Sequence, residues 1–206
     1  HGAMLRQRLR AADHKLADGE PFHTQLPNTH GTRVSLLPVD PANSTFELLS
    51  RARETVAAQR SPAPATLTVA CVGLEPEQAE RSCEAVVAAA LAAEFPMPSF
   101  KSKPEPVTRL KAIHIYGHVA DHGYARTLAE ARGNNLARFL TALPPNELTP
   151  SNYRQRVLKL ARQYRWKSEF LDMKKLKARG AGAFVAVAQG SPQADAGILH
   201  LRYSPR

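Results

Sequence analysis

Apolar positions along the chain recur with two periods, which predict strands and helices that follow one another. The run 66–72 is β-branched and apolar, as in a buried strand. Pro76 then begins an alanine-rich stretch whose apolar stripe has helical spacing to about Glu94. Further strands are predicted at 33–37, 110–116, 166–171, 183–188 and 197–203, further helices at 44–59, 121–143, 151–165 and after Asp172, and a loop at 18–28. Alternating strands and helices indicate an α/β fold class with largely parallel pairing.

A helix–turn–helix corner is predicted at 133–150. An apolar stripe at helical spacing runs up to Pro144 and Pro145, which remove two backbone donors and force extended geometry on the residue before them. Thr149 followed by Pro150 is typical of an N-cap and a first helical position. The stripe consists of Leu136, Phe139, Leu140 and Leu143. By itself this pattern predicts only a well-defined structural corner.

The amino-acid sequence of the corner also resembles a segment found in a known protein family. Asn-Leu-Ala-Arg-Phe-Leu at 135–140 and Leu-Pro-Pro-Asn-Glu-Leu-Thr-Pro at 143–150 closely resemble the segment that opens the catalytic domain of the leucyl (cytosol) aminopeptidase family. The phrases at 180–191 and 198–203 resemble the next two segments of that family, in the same order. The stretch 26–38 is similar, more loosely, to its amino-terminal domain.

Pattern and resemblance divide the chain in the same way. The alternating elements predict one small α/β domain over 5–120, a linking helix over 121–143, and the start of a second α/β domain over 144–206. The resemblance implies that the first is a macro-domain-like amino-terminal domain. It implies that the last is the opening of a catalytic metallopeptidase domain.

The resemblance implies a two-metal exopeptidase that releases amino-terminal residues from peptides. In the family, zinc or manganese ions are held by a lysine, aspartates and a glutamate, in an Asp-Thr-Gly-Gly phrase and an Asn-Thr-Asp-Ala-Glu-Gly-Arg phrase. Neither phrase occurs among the 206 residues. We therefore assign no catalytic and no metal-binding residue, and expect an amino-terminal fragment of such an enzyme that is inactive alone. The resemblance further implies peptide substrates and a homohexamer.

The net charge of +10 is concentrated in one segment. Residues 151–180 hold ten basic side chains against two acidic ones, a net of +8. Such a segment is able to contact phosphates, which makes a nucleic-acid-binding module the alternative function. A solvated helix face, or a surface for an acidic partner, is the preferred interpretation because no nucleic-acid-reading motif accompanies the charge. The candidate phosphate contacts are Arg154, Arg156, Lys159, Arg162, Lys174, Lys175 and Lys177.

Histidines and cysteines offer weaker candidates. His114, His118 and His122 are four residues apart, which would align them as metal ligands on a helix. The residues around His114 alternate as in a strand, however, so ordinary strand histidines are preferred. Cys71 lies in a predicted strand and Cys83 in a predicted helix, and two cysteines make no disulfide framework. Buried thiols in a reducing cytoplasm, with no membrane segment, are therefore predicted.

Overall fold

A computed structural model describes residues 2–60, 64–103, 109–191 and 195–205. It confirms the mixed α/β class. The contacts divide the chain into two compact units, His1–Phe139 and Leu140–Arg206, called unit 1 and unit 2 below. The helices are α1 Gly2–Ala11, α2 Thr45–Ala58, α3 Pro76–Glu94, α4 Ala125–Thr141, α5 Pro150–Gln163, α6 Met173–Ala178 and α7 Gly182–Ala188. The strands are β1 Phe22–Gln25, β2 Arg33–Leu36, β3 Thr66–Ala70, β4 Ala112–Tyr116, β5 Lys167–Asp172 and β6 Gly197–Arg202.

The core of unit 1 lies between α2, α3 and the parallel pair β3–β4. The register of that pair runs from Thr66 opposite Ala112 to Ala70 opposite Tyr116. Small side chains let the two helices approach closely, and Ala52 is completely buried between them. The buried cluster consists of Leu48, Ala52, Val56, Ala85, Val86, Ala89 and Ala90, with Leu67, Val69 and Ile113 of the strands packed against it. The alanine-rich stripe thus lies against a sheet, as its pattern predicts.

Side-chain hydrogen bonds stabilise the start of α2, at Ser44, and the end of α3, at Glu94. Ser44 caps α2: its hydroxyl accepts the amide of Glu47 at 3.3 Å, and its own amide donates to the Glu47 carboxylate at 2.8 Å. The Ser44 hydroxyl, which donates to the Glu47 carboxylate at 2.7 Å, and then the Ser44 amide hold the pKa of Glu47 below its ordinary value. Glu94 ends α3, and its carboxylate accepts both the Arg60 guanidinium and, at 2.7 Å, the backbone amide of Leu110. One carboxylate thereby joins three segments of unit 1.

A hairpin replaces the loop predicted at 18–28, and that prediction is wrong. β1 pairs with β2 in antiparallel register, with Phe22 opposite Leu36 and Gln25 opposite Arg33. The connecting turn is closed by Asn28, whose side-chain oxygen accepts the amide of Thr32 at 2.9 Å. Phe22 is the buried residue of this four-residue strand. Its strand pattern is too short to distinguish from a loop by periodicity.

Unit 2 contains α5, β5, α6, α7 and β6. β5 and β6 pair in antiparallel register, from Lys167 opposite Arg202 to Asp172 opposite Gly197. Parallel pairing is therefore right for β3–β4 and wrong for the other two sheets. The strand predicted at 183–188 is also wrong, because α7 occupies that stretch and the Val185 amide donates to the Ala181 carbonyl at 3.0 Å.

Helix α4 is shorter than the predicted 121–143, and side-chain hydrogen bonds join it to α3. Asn135 donates its amide to the Leu91 carbonyl at 3.2 Å, and Arg138 donates to the Ala92 carbonyl at 2.8 Å. The division between the units falls near its end, after Phe139. The assignment of 5–120, 121–143 and 144–206 to named domains stays a prediction. None of the described helices is both long and apolar enough to cross a membrane.

Candidate functional site

The double-proline corner is the first candidate, and the structure builds it as the sequence predicts. After Pro144 the chain makes one tight turn, in which the amides of Glu147 and Leu148 donate to the Pro144 carbonyl at 2.9 and 3.0 Å. Thr149 then caps α5, accepting the amide of Asn152 on its hydroxyl at 3.2 Å. The Asn152 side chain donates back to the Glu147 carbonyl at 3.2 Å. Side chains of the helix and backbone of the turn therefore fix each other.

Replacement of Thr149 by alanine is expected to lower the free energy of unfolding by about 1 kcal/mol, since it leaves the Asn152 amide without its acceptor. The measurement is a urea titration followed by far-UV circular dichroism. Thr149→Ser keeps the hydroxyl and is the matched control, with a loss of roughly a third of that size or less. Equal losses in the two variants would show that the methyl group, rather than the cap, carries the effect.

The second candidate is the basic segment of unit 2. Its seven predicted residues lie on α5 and α6, and five of them, all but Arg154 and Arg156, are exposed. The guanidinium of Arg154 lies 4.2 Å from the centre of the Phe170 ring, and the Lys175 ammonium donates to the Phe170 carbonyl at 3.2 Å. Two of the predicted phosphate contacts, Arg154 and Lys175, therefore contact Phe170 of β5. Phosphate or nucleic-acid binding by this segment stays a prediction.

The third candidate is a cluster at the carboxyl ends of β3 and β4, called the strand-end cluster. Cys71 directly follows β3, and His118 lies two residues past the end of β4. The Cys71 and Cys83 sulfur atoms are 3.2 Å apart, and the His118 Nε2 contacts the Glu80 carboxylate. Carboxyl ends of parallel strands meet at one edge of a sheet, where polar side chains from different elements converge.

Burial dominates the chemistry of the strand-end cluster. Cys83 is fully buried, and this burial, followed by the hydrogen bond with Cys71, raises the pKa of its thiol to about 12. Tyr124 lies beside it, and burial again raises the pKa of the phenol, with the Cys83 thiol adding to the rise. Both groups therefore stay protonated at neutral pH.

The three histidines are not brought together as a metal site. His114 is on β4, as the strand interpretation predicts, whereas His118 is paired with Glu80. His122 lies in the turn before α4. Throughout the part of the chain that the structure describes, no group of three or more His, Cys, Asp or Glu side chains is placed to hold a metal ion.

Sequence reasoning missed two contacts of the strand-end cluster. It placed Cys71 in a strand and Cys83 in a helix but did not bring their sulfur atoms together, and it named no partner for His118. The signal was the equivalent position of Cys71 and His118, each just after a buried strand of a parallel pair. That placement predicts proximity at one sheet edge. The packing of α3 determines which of its faces contacts that edge, and the sequence alone did not predict this orientation.

Comparison with known proteins gives a coherent result. Residues 135–206 match the model of the cytosol aminopeptidase family, catalytic domain. A probable cytosol aminopeptidase of Parasynechococcus marenigrum is 33% identical over 197 residues, which are 91% of this chain and 39% of the relative. One of Prochlorococcus marinus is 33% identical over 108 residues, covering 52% of this chain and 22% of the relative. The chain thus spans well under half the length of these relatives.

Solved structures share the fold at lower identity. The bottromycin maturation enzyme BotP in complex with Mn superposes with a TM-score of 0.69 and 22% identity, over 90% of this chain and 39% of that one. The cytosol aminopeptidase from Coxiella burnetii gives a TM-score of 0.56 and 16% identity, over 85% of this chain and 35% of that one. These similarities extend the likeness in fold beyond the stretch matched by the family model.

Proposed function

Because the chain belongs to the cytosol aminopeptidase family, we propose that its protein is a metal-dependent aminopeptidase that releases amino-terminal residues from peptides. Leucine-like residues are the proposed preference. The chain covers 39% of the relative from Parasynechococcus marenigrum, so this activity is a proposal for the whole protein. Within it, residues from the corner onward supply the opening part of the catalytic domain.

The observation that carries the proposal is the corner together with the family match. The match to the catalytic-domain model begins at residue 135 in α4 and continues through the double-proline turn and α5. The segments 135–140 and 143–150, which resemble the family most closely, lie inside this stretch, and the second forms a turn fixed by its own hydrogen bonds. The relatives' similarity extends over 91% of the chain, which supports a contribution from unit 1 as well.

Divalent metals are proposed for the whole protein, and the residues that the structure describes do not fit a two-metal centre. Such a centre needs several oxygen ligands that converge from different elements. In the strand-end cluster the two thiols contact each other, and Glu80 is paired with His118. The manganese of the BotP complex supports a divalent metal for proteins of this fold. The proposed part of this chain is to support the catalytic domain, with the metal ligands supplied by other residues of the whole protein.

The test is hydrolysis of leucine p-nitroanilide with added manganese or zinc. We expect this chain alone to release p-nitroaniline no faster than the buffer blank. The product of the whole gene is expected to release it, and a chelator is expected to abolish that release. A folded whole-gene product that binds manganese but leaves this substrate and leucine-terminated peptides intact would overturn the proposal. Turnover by the chain alone would overturn the assignment of the metal ligands to other residues.

Assembly and location are proposed on the same grounds. Family membership supports a homo-oligomer, and a hexamer is the specific proposal from the resemblance. The relatives are named cytosol aminopeptidases, which supports a cytoplasmic location. No membrane partner is proposed.

A further inference from the structure

The strand-end cluster contains two thiols in direct contact. The sulfur atoms of Cys71 and Cys83 lie 3.2 Å apart, although the residues are twelve positions apart and lie on different elements. A disulfide bond has a sulfur–sulfur distance of about 2.05 Å. Closure therefore requires the two sulfur atoms to approach each other by about 1 Å.

Both thiols are held in place by their surroundings. The Cys71 amide donates to the Tyr116 carbonyl at 2.9 Å, which extends the β3–β4 pairing by one residue. Cys83 lies in the interior of α3 and is completely buried. Since strand end and helix are fixed against each other, the close approach of the sulfur atoms belongs to the packed core. It does not depend on a loop that could swing away.

We propose that Cys71 and Cys83 form an oxidation site, at which a peroxide converts the two thiols into a disulfide between the end of β3 and α3. The inference does not depend on the proposed peptidase activity. In a reducing compartment such a bond is transient, as expected of a redox-responsive pair rather than a permanent structural one. The ligand class of the site is a small hydroperoxide, with hydrogen peroxide as the simplest member.

The reaction balances in two steps. In the first, the Cys71 sulfur attacks one peroxide oxygen, the oxygen–oxygen bond breaks, and a sulfenic acid and water form. In the second, the Cys83 sulfur attacks the Cys71 sulfenic sulfur, the sulfur–oxygen bond breaks, and a second water leaves. Two thiols give up two electrons and two protons in total. One peroxide molecule accepts them and becomes two waters.

The environments of the two residues set the order of these steps. Cys71 is half-buried and can meet a peroxide from solvent, whereas Cys83 has no exposed surface. Burial raises the pKa of Cys83 to about 12, so its thiolate is scarce at neutral pH. The other titratable groups that act on Cys83 are Glu80 and Tyr124. Cys71 is therefore the residue oxidised first, and Cys83 is the resolving thiol.

Peptide mapping tests the proposal directly. Trypsin cleaves after Arg60, Arg81 and Lys101, so Cys71 and Cys83 fall on the separate peptides 61–81 and 82–101. After the folded chain is treated with hydrogen peroxide and free thiols are blocked, we expect these two peptides to remain linked, with a mass two hydrogens below their sum. Dithiothreitol should separate them. Two blocked, unlinked peptides from the folded, peroxide-treated protein would overturn the proposal.

Two variants test the order of the steps. In Cys83→Ala the Cys71 sulfenic acid has no resolving partner, and we expect a dimedone adduct to accumulate on peptide 61–81. In Cys71→Ser we expect peptide 82–101 to keep a reduced thiol, oxidised at least tenfold more slowly than Cys71 in the first variant. Circular dichroism spectra that match the parent chain show that both variants are folded. Oxidation of Cys83 at the same rate in Cys71→Ser would overturn the assignment of Cys71 as the first site.

Discussion

Replacement of Gly117 by alanine is expected to lower the free energy of unfolding by about 3 kcal/mol, because two penalties add. The backbone of Gly117 has φ +79°, a left-handed conformation that disfavours any residue with a Cβ. A Cβ built there would also overlap the carbonyl oxygen of Cys71, which is backbone and cannot rotate away. Guanidinium chloride unfolding followed by far-UV circular dichroism measures the loss.

Gly73 supplies the matched control for that experiment. It has φ +67° and also follows a strand of the parallel pair, but nothing lies within 4 Å of a Cβ at this position. Gly73→Ala should therefore carry only the conformational penalty, about 1–2 kcal/mol. The difference between the two variants isolates the overlap with Cys71. If both variants lose the same amount, the close approach at Gly117 contributes nothing to stability.

Replacement of Leu48 by alanine is the second change with a large expected effect, a loss of about 3 kcal/mol of unfolding free energy. Leu48 is 4% exposed and lies in the cluster that joins α2 to α3. It also borders a cavity of about 270 Å³ between α2, α3 and α4, which the substitution would enlarge. Lost apolar burial and lost contacts with the cavity walls both contribute. Chemical denaturation gives the magnitude.

Phe46 provides a control on the same helix. It is 78% exposed, so Phe46→Ala removes a larger side chain without opening the core. Its expected effect is within about 0.5 kcal/mol of zero. A loss for Phe46→Ala comparable to that for Leu48→Ala would indicate that α2 is stabilised by its exposed face, in contradiction to the buried cluster between α2 and α3.

Elements whose ends carry chemical signals were predictable from the sequence. Ser44, Thr149 and Asp172 each lie at the start of a helix that the sequence predicts, and each accepts a backbone amide. Gly180, with φ +72°, follows the end of α6. A capping hydroxyl or carboxylate acts within three residues of itself, so the sequence contains all the information that such a helix end requires.

The errors in the fold arose where distant pairing decides the outcome. Residues 183–188 contain Val185 and Val187 in alternation, which favours a strand, yet β6 takes β5 as its partner and α7 forms instead. β1 is recognised only by its pairing with β2, because Phe22 alone of its four residues is buried. Strand identity depends on a partner that local periodicity does not reveal.

The candidate sites divide in the same way. The turn and helix cap at the Pro144 corner could be predicted from the sequence because their hydrogen bonds join residues close together in the chain. The contact between Cys71 and Cys83 could not be predicted, since it depends on how α3 lies against the end of β3. The Arg154–Phe170 contact likewise joins α5 to a strand that comes after it. Charge counting placed Arg154 in a basic segment but could not show that its guanidinium stacks on a ring of the same unit.

Glu94 restricts amino-acid substitution at its side-chain partner, Arg60, more strongly than at its backbone partner, Leu110. Its carboxylate pairs with the Arg60 side chain, so a change at either position leaves the other ion without its partner, and the two positions should change together. The Leu110 contact uses only the main chain, and any residue except proline supplies that donor. This contact therefore does not restrict which side chain, other than that of proline, occupies position 110. Among related proteins, covariation is expected between positions 60 and 94.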